Sequence, residues 1–266
     1  MSKPTHLKVE HLKVLLEQHA RCLIAFSGGV DSAFLLWFAT HQSRTQATGV
    51  LADSDSLKRS ELDAAKAFCQ SHQLKLTVVK TSELTNPDYA ANPLNRCFYC
   101  KHTLFEEMEA LARRQDVDAL CYGENADDAR HDRPGREAAR KFQILAPLQQ
   151  ADLSKAEIRC LAEEYQLEVA EKKAQPCLAS RIQHGVEVTS ERLKTVESAE
   201  NFIDSLGFEI VRVRHQGDSA KVQVAPDETE RLLQPETSEK VIQKLKSLGF
   251  KQVELDQHGY QGAGLL

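Results

Sequence analysis

The stretch LIAFSGGVDS, residues Leu23–Ser32, decides the predicted fold. Its apolar first half is typical of a short buried strand. The SGG turn that follows can present successive backbone N–H groups to an anion, because glycine allows a tight turn and a close approach. A helix predicted to begin near Ser32 directs its positive end at the same point. The stretch therefore predicts a phosphate-binding turn, in which Asp31 holds Mg²⁺ or orients the loop. The candidate phosphate-binding residues are Ser27, Gly28, Gly29, Asp31 and Ser32.

Strands and helices are predicted to alternate along the first half of the chain. Short apolar runs separated by amphipathic segments predict an α/β domain with a mostly parallel sheet and helices on both faces. The predicted strands are 22–26, 48–52, 76–80 and 119–122, and the predicted helices include 33–41, 60–72, 101–114 and a helix at 154–165 that begins with a capping box.

The pattern changes after about Arg181. Two helices that each end in SLGF are followed by strands, and Gly207 and Gly249 stand where a helix is expected to end. A further strand is predicted at 220–225. We therefore predict two domains, 1–181 and 182–266, of which the second is a small C-terminal α+β domain.

Composition narrows the class of protein. The chain has 266 residues and a net charge of −5, which disfavours broad nucleic-acid binding because such binding needs many cationic contacts. No secretory signal or apolar run of membrane-spanning length is visible, so a cytoplasmic location without membrane contact is expected. The seven cysteines are then expected to be thiols, metal ligands or catalytic groups rather than disulfides.

Polar residues follow the second and fourth predicted strands. Asp53 and Ser54 come after one, and GENADD, residues 123–128, comes after the other. Parallel sheets bind nucleotides at this carboxyl edge, where the carboxylates can hold Mg²⁺. A solvated acidic turn is the alternative for GENADD. The candidate ATP-binding residues here are Asp53, Ser54, Asn125, Asp127 and Asp128, with Asp31 and Asp128 as candidate Mg²⁺ ligands.

Three cysteines form the second candidate centre. Cys97 and Cys100 form a CxxC, and Cys177 lies in PCLASRI. Structural zinc, a redox dithiol and an iron–sulfur cluster with one open iron are all compatible with this spacing. The other four, Cys22, Cys69, Cys121 and Cys160, are predicted to be small buried apolar residues.

The motifs together resemble a known family. SGGVDS resembles the PP-loop of the ATP pyrophosphatase superfamily, whose domain is Rossmann-like and adenine nucleotide alpha hydrolase-like. The full set, in this order, resembles the LarE family. The motifs are SGGVDS (27–32), NRCFYCKHTLF (95–105), GENADD (123–128), RPGREAARKFQILAPL (133–148), PCLASRI (176–182) and VRVRHQGD (211–218).

The resemblance implies an ATP-dependent sulfur transferase that uses Mg²⁺. Such enzymes adenylate the carboxylates of pyridinium-3,5-biscarboxylic acid mononucleotide and convert them to thiocarboxylates during nickel-pincer nucleotide biosynthesis, in the maturation of lactate racemase. Members with one cysteine, matching Cys177, sacrifice its sulfur. Members with three, matching Cys97, Cys100 and Cys177, resemble the branch that holds a [4Fe-4S] cluster. All three are present here, so the cluster is favoured over sacrifice of Cys177.

Arginines are the predicted anchors for phosphate. Arg212 and Arg214 alternate along one strand and so share a face, which is either a solvated surface or, by the resemblance, the site for the substrate phosphate. Arg181 is a candidate for ATP or substrate phosphate, and Lys101 for a place near the phosphates.

His184 and His215 are predicted at the surface. Glu200 and Asp227 are either metal ligands or ordinary helix-face and cap residues.

The expected partners are a small mononucleotide substrate and, from the resemblance, further copies of the chain in a homo-oligomer. A tRNA thiolase of the same superfamily, an amide-forming ligase and a metallochaperone are the alternative functions.

Overall fold

The computed structural model describes residues 3–128 and 134–262. They form two compact units. The first runs up to Glu83 and continues over Asn95–Gln175. The second consists of Leu84–Leu94 and the chain from Pro176 onward. The chain therefore passes between the units three times.

The first unit contains an all-parallel sheet of four strands in the order β3-β2-β1-β4. This confirms the predicted α/β class with a Rossmann-like sheet. Strand β1 is central because its middle residues, Cys22, Leu23 and Ile24, are buried on both faces. The strands are β1 (Arg21–Ala25), β2 (Gln46–Asp53), β3 (Leu76–Lys80) and β4 (Ala119–Tyr122).

Helices cover this sheet and also build much of the second unit. They are α1 (Lys3–Glu17), α2 (Val30–His41), α3 (Arg59–Ser71), α4 (Pro87–Ala90), α5 (Arg96–Gln115), α6 (Pro134–Lys141), α7 (Pro147–Gln150), α8 (Lys155–Glu164), α9 (Ser190–Ser205), α10 (Thr229–Leu233) and α11 (Pro235–Ser247). No helix in these described stretches has the length and apolar character needed to span a bilayer.

Two helices are central to the site. Helix α2 is apolar on nearly all sides, and its side chains from Ala33 to Leu36 are fully buried beside the sheet. Helix α5 begins at Arg96, five residues before the predicted start at Lys101. The CxxC therefore lies on the first turns of this helix rather than in the loop before it.

The second unit contains a three-stranded sheet, β5 (Val211–Gln216), β6 (Ser219–Val224) and β7 (Gln252–Leu255). Strands β5 and β6 are antiparallel, and β6 and β7 are parallel. The predicted terminal glycines are confirmed, since Gly207 and Gly249 have φ of +84° and +105° where α9 and α11 end.

Asn92 secures the inserted segment Leu84–Leu94 in the second unit. Its side chain is fully buried, and its Nδ2 lies 3.2, 2.8 and 2.9 Å from the carbonyl oxygens of Ile182, Gln183 and Val186. The backbone N–H of Val188 also donates to the Ala90 carbonyl at 2.8 Å. The segment 84–94 is thus held by residues about ninety positions later.

Candidate functional site

The turn between β1 and α2 is organised by its own hydroxyl groups. Ser32 is buried, and its Oγ accepts a hydrogen bond from the Ser27 N–H at 3.1 Å and donates to the Gly29 carbonyl at 3.1 Å. The Ser27 hydroxyl, 3.1 Å from Ser32 Oγ, is on an exposed residue. Gly28 has a φ of +71°, the left-handed region that favours glycine. The turn is therefore preformed, with Ser32 bracing it and Ser27 at its surface.

Gly123 brings the end of β4 against the start of α2. A methyl group at this position would lie 2.8 Å from the Ser32 backbone nitrogen and 2.9 Å from its Cα. Such distances are too short for a side chain of any size. The GENADD loop and the SGGVDS turn (27–32) consequently meet at one sheet edge, as the sequence predicts.

Asp31 is a carboxylate of this edge whose pKa is raised by its surroundings. Its Oδ2 accepts a hydrogen bond from Lys155 Nζ at 2.6 Å. Burial raises the pKa of the Asp31 carboxyl, the Lys155 ammonium works against that shift, and the nearby Asp128 carboxylate adds to it. The amide of Asn125 also lies close, yet within the described residues the buried Oδ1 has no hydrogen bond of normal geometry. A buried oxygen of this kind beside a second carboxylate suits a hard cation such as Mg²⁺.

The remaining groups of the GENADD loop are committed to local contacts. Asn125 Oδ1 accepts hydrogen bonds from the backbone N–H groups of Asp127 and Asp128 at 2.9 and 3.0 Å. Asp127 Oδ2 accepts from the Lys155 N–H at 2.8 Å, and Glu124 pairs with Arg136. Arg133, which opens the RPGREAARKFQILAPL motif, lies outside the described residues. Asp128 is therefore the acidic residue of the loop whose charge raises the pKa of Asp31.

At the carboxyl end of β2, Asp53 and Ser54 lie as predicted beside the same edge. Asp53 Oδ1 pairs with Arg59 at 2.5 Å, and the buried Ser54 hydroxyl is 3.0 Å from that of Ser56. Both residues therefore have protein partners in the described geometry. Their contact with ATP stays a prediction.

Two lysines that the sequence did not point to reach this edge. Lys155 comes from the start of α8, and Lys172 Nζ donates to the Gly28 carbonyl at 3.1 Å while pairing with Glu61 at 2.6 Å. Each lysine is more than a hundred residues from its contact in the turn. Periodicity and spacing describe local patterns, so no signal in the sequence could have revealed these pairs.

A cavity of about 200 Å³ opens beside the turn. Lys101 lines it, and its ammonium lies 4.8 Å from the centre of the Tyr122 ring. The prediction that Lys101 lies near the phosphate site is consistent with this placement. Other lining residues include Ser27, Gly29, Asp31, Ser32 and Gly123.

The cysteines separate into buried and accessible groups. Cys22, Cys69 and Cys121 are buried, as predicted, and burial raises the pKa of the Cys69 thiol to about 11. The prediction for Cys160 was wrong. It is exposed, because it faces away from the buried stripe of α8 formed by Ile158, Leu161 and Ala162.

The CxxC thiols lie on the first turns of α5. Cys97 is exposed, and Cys100 is partly exposed with its Sγ 3.7 Å from Glu83 Oε1. Within either unit, the described residues contain no group of three or more His, Cys, Asp or Glu side chains close enough to hold a metal ion. Cys97 and Cys100 belong to the first unit and Cys177 to the second.

Cys177 immediately precedes a 3₁₀ turn, Leu178–Arg181. The Arg181 side chain is buried and pairs with the buried Glu200 at 2.9 Å, and its Nη1 donates to the Pro176 carbonyl at 2.5 Å. The phosphate-binding role of Arg181 stays a prediction, and this ion pair would oppose it. Glu200 also accepts a hydrogen bond from the Val213 N–H at 3.1 Å, so its described role is structural.

Arg212 and Arg214 share one face of β5, as the alternation predicts. Arg212 is buried and Arg214 is half-buried, so the interpretation as a solvated basic surface was wrong. Arg214 also lines a cavity of about 590 Å³ in the second unit, together with Ser180 and Tyr260.

His215 lies at the end of the same strand. The prediction that it is a surface residue was wrong, since it is 5% exposed and packs against Phe250. The same alternation gives the reason. Val211, Val213 and His215 occupy the inner face, whereas the two arginines occupy the other.

Comparison with known proteins identifies the family. No family model matches the sequence. The chain is 36% identical over 258 residues to the uncharacterized protein slr1717 of Synechocystis sp., covering 97% of this chain and 96% of the relative. It is 29% identical over 251 residues to pyridinium-3,5-bisthiocarboxylic acid mononucleotide synthase of Lactiplantibacillus plantarum, covering 94% and 90%. It is 26% identical over 244 residues to the uncharacterized protein MJ0830 of Methanocaldococcus jannaschii, covering 92% of both. The chain belongs to the LarE-like family.

Proposed function

We propose that the protein is an ATP-dependent sulfur transferase that converts carboxylates of a pyridine mononucleotide to thiocarboxylates, within nickel-pincer cofactor biosynthesis. The observation that supports this most is the extent of the similarity to the synthase of L. plantarum. A match of 251 residues in a chain of 266 spans both the SGGVDS turn and the PCLASRI segment. The aligned region therefore contains both the motif proposed for activation by ATP and the motif proposed for sulfur transfer.

In the first half-reaction, a carboxylate oxygen of the substrate attacks the α-phosphorus of ATP. The bond from that phosphorus to the β-phosphate oxygen breaks, and pyrophosphate leaves. Ser27, the backbone of the turn and Lys101 would bind the phosphates. Asp31 and Asp128 would hold Mg²⁺, which supplies charge neutralisation to the polyphosphate when bound.

The second half-reaction depends on that activation. A free carboxylate resists a sulfur nucleophile because its charge is delocalised and oxide is a poor leaving group. In the acyl adenylate, sulfide can attack the carbonyl carbon, and the C–O bond to AMP breaks. The products are AMP and a thiocarboxylate, so each carboxylate consumes one ATP and one sulfide.

The accessible thiols fit the proposed sulfur source. Cys97 is exposed, and Cys100 and Cys177 are partly exposed, in contrast to the buried cysteines of the sheet and α3. A [4Fe-4S] cluster on these three thiolates would supply the sulfide when bound. In the alternative, Cys177 itself is the donor. Its Sγ attacks the acyl carbon and AMP leaves. The Cβ–Sγ bond then breaks as the Cα loses a proton, which leaves the thiocarboxylate on the substrate and dehydroalanine in the protein.

The substrate phosphate is proposed to bind Arg212 and Arg214. The guanidinium groups of the buried Arg212 and the half-buried Arg214 lie on one strand face and suit the oxygens of a phosphate monoester. These arginines and Cys177 belong to the same unit, which supports a shared substrate site. Asp53, Ser54, Asn125, Asp127 and Arg181 remain proposed contacts of ATP.

Replacement of Cys177 tests the assignment. Cys177→Ala is expected to abolish thiocarboxylate formation while pyrophosphate release from ATP in the presence of the mononucleotide continues. Cys160→Ala removes another accessible thiol and should leave both activities unchanged. Normal thiolation by the Cys177 variant would overturn the proposal.

The source of the sulfur is tested by protein mass and iron content. After anaerobic reconstitution, the cluster predicts about four iron atoms per chain, many turnovers and an unchanged polypeptide mass. Sacrifice of Cys177 predicts a single turnover and a loss of mass equal to H₂S.

A further inference from the structure

The chain after β7 follows a fixed path along β6. The Asp256 N–H donates to the Val222 carbonyl at 2.9 Å, and the Tyr260 N–H donates to the Val224 carbonyl at 2.8 Å. Between them, Gly259 has a φ of +71°, and a methyl group there would lie 2.7 Å from Pro226 Cα. Only glycine fits this position without strain. The segment 256–260 therefore places Tyr260 at a defined point of the second unit.

At that point the Tyr260 ring covers the arginine pair of β5. The guanidinium carbons of Arg212 and Arg214 lie 5.0 and 5.8 Å from the ring centre, within the range of cation–π attraction. One aromatic side chain thus contacts both cations.

The surroundings of these two arginines disfavour their positive charge. Burial lowers the pKa of Arg212 and of Arg214, the nearby Arg181 guanidinium lowers both further, and the Glu200 carboxylate acts in the opposite direction. An anion that binds here would relieve both effects. A dianionic phosphate monoester is the chemistry that such a pair would recognise.

A neutral amide stands between Arg214 and the carboxylate of Asp256. Arg214 Nε donates to Gln223 Oε1 at 3.2 Å, and Gln223 Nε2 donates to Asp256 Oδ2 at 3.0 Å. The Asp256 carboxylate is itself paired with Lys221 at 3.1 Å. Tyr260 and Gln223 therefore hold Arg214 through neutral groups, which orient the guanidinium without cancelling its charge.

We infer that Tyr260 is a positioning residue for the substrate phosphate: its uncharged ring holds Arg212 and Arg214 in a fixed arrangement beside the 590 Å³ cavity that Arg214 and Tyr260 line. The cavity volume is within the range of sites for small organic ligands. The inference rests on the proposed function, because it takes the mononucleotide as the ligand.

Three substitutions separate positioning from a merely structural role. Tyr260→Phe keeps the ring face and should change affinity for nicotinic acid mononucleotide by less than about threefold. Tyr260→Leu removes the ring and should weaken that affinity about tenfold. Tyr260→Glu can still tie the two arginines by ion pairs but neutralises them, so it should weaken binding at least as much as the leucine.

The measurement is calorimetric titration of the full-length protein with nicotinic acid mononucleotide and, in parallel, with the nucleoside that lacks the phosphate. Only the mononucleotide should respond to the substitutions, and the KM for ATP should stay unchanged. Gln257→Ala, an exposed neighbour in the same segment, is the matched control and should bind as the parent does.

The outcomes are distinct. Equal binding by the parent, leucine and glutamate variants, with the mononucleotide favoured over the nucleoside, would overturn the role of Tyr260 alone. Retained binding by the glutamate variant would show that any group tying the arginines suffices, which also contradicts the inference. If the parent protein binds neither ligand, the proposed function fails instead.

Discussion

At the scale of single residues, His215 shows how burial alters a titrating group. Burial lowers the pKa of His215 and Arg192 lowers it further, whereas Asp218 acts in the opposite direction. Its Nδ1 is buried without a hydrogen-bond partner among the described residues. The folded protein therefore favours the neutral ring.

The sign of the resulting pH dependence follows directly. A group whose pKa is lowered on folding contributes stability that is complete above its unfolded value, 6.5, and is lost as pH falls through the folded value. We predict that the free energy of unfolding declines between about pH 7.5 and about pH 5.5, and that His215→Phe reduces this decline. Urea unfolding at both pH values measures it. His11→Ala, at an exposed histidine of α1, should leave the slope unchanged.

Gly123 offers a second prediction at this scale. Gly123→Ala should destabilise the protein by about 1–3 kcal/mol, because the added methyl group forces β4 away from the start of α2. Pyrophosphate release should fall with it. Gly29→Ala is the matched comparison, since its methyl group would meet only Ser27 Oγ at 3.5 Å. A smaller loss of stability is expected there, and equal losses at the two glycines would contradict the close approach.

At the scale of elements, α8 begins with a complete capping box. The Ser154 hydroxyl accepts from the Glu157 N–H at 3.3 Å, and Glu157 Oε2 accepts from the Ser154 N–H at 2.9 Å. Lys155, the first residue of this helix, is the partner of Asp31. The cap therefore positions the cation as well as starting the helix.

We predict that Ser154→Ala costs about 1 kcal/mol of stability, the usual cost of losing a helix cap. It should also weaken ATP binding, because Lys155 loses its fixed starting point. Chemical denaturation and nucleotide titration measure the two effects. Ser190→Ala removes a serine from the first position of α9, whose cap is Thr189, and should change neither.

The elements also show what a sequence can reveal. Strands β3 and β4 have the predicted bounds, because each is a short apolar run between polar segments. The capping box of α8 was equally visible, since its residues are three apart. The start of α5 was missed because the polar residues and cysteines of its first turns interrupt the apolar period. The pairs of Lys155 and Lys172 with the turn depend on how the chain folds back, which local patterns do not encode.

At the scale of the whole molecule, the second unit is discontinuous in sequence. Asn92 provides much of the connection, with a φ of +56° and a side chain that reaches three carbonyl groups. We predict that Asn92→Ala destabilises the protein by about 1–3 kcal/mol, because buried carbonyl groups lose their donor. Glycine adopts the same φ without strain. Thermal unfolding of Asn92→Gly therefore measures the cost of the lost hydrogen bonds without the backbone strain that alanine adds.

The same discontinuity predicts the behaviour of fragments. A fragment of residues 176–266 should lack a cooperative unfolding transition, because Leu84–Leu94 is part of its unit. Joining 84–94 to it through a flexible linker should restore one, as circular dichroism during heating would show. A cooperative transition in the shorter fragment would contradict this.

The inserted segment also sets an order of events on the ribosome. Synthesis at about 5–20 residues per second separates Leu94 from Pro176 by roughly 4–16 s. During that interval Asn92 has been made, but the carbonyl groups it binds have not. Every residue of the first unit is translated before the chain passes Gln175. The SGGVDS turn can therefore fold during translation. The unit that contains Cys177 and the arginine pair can fold only when the C-terminal third has emerged.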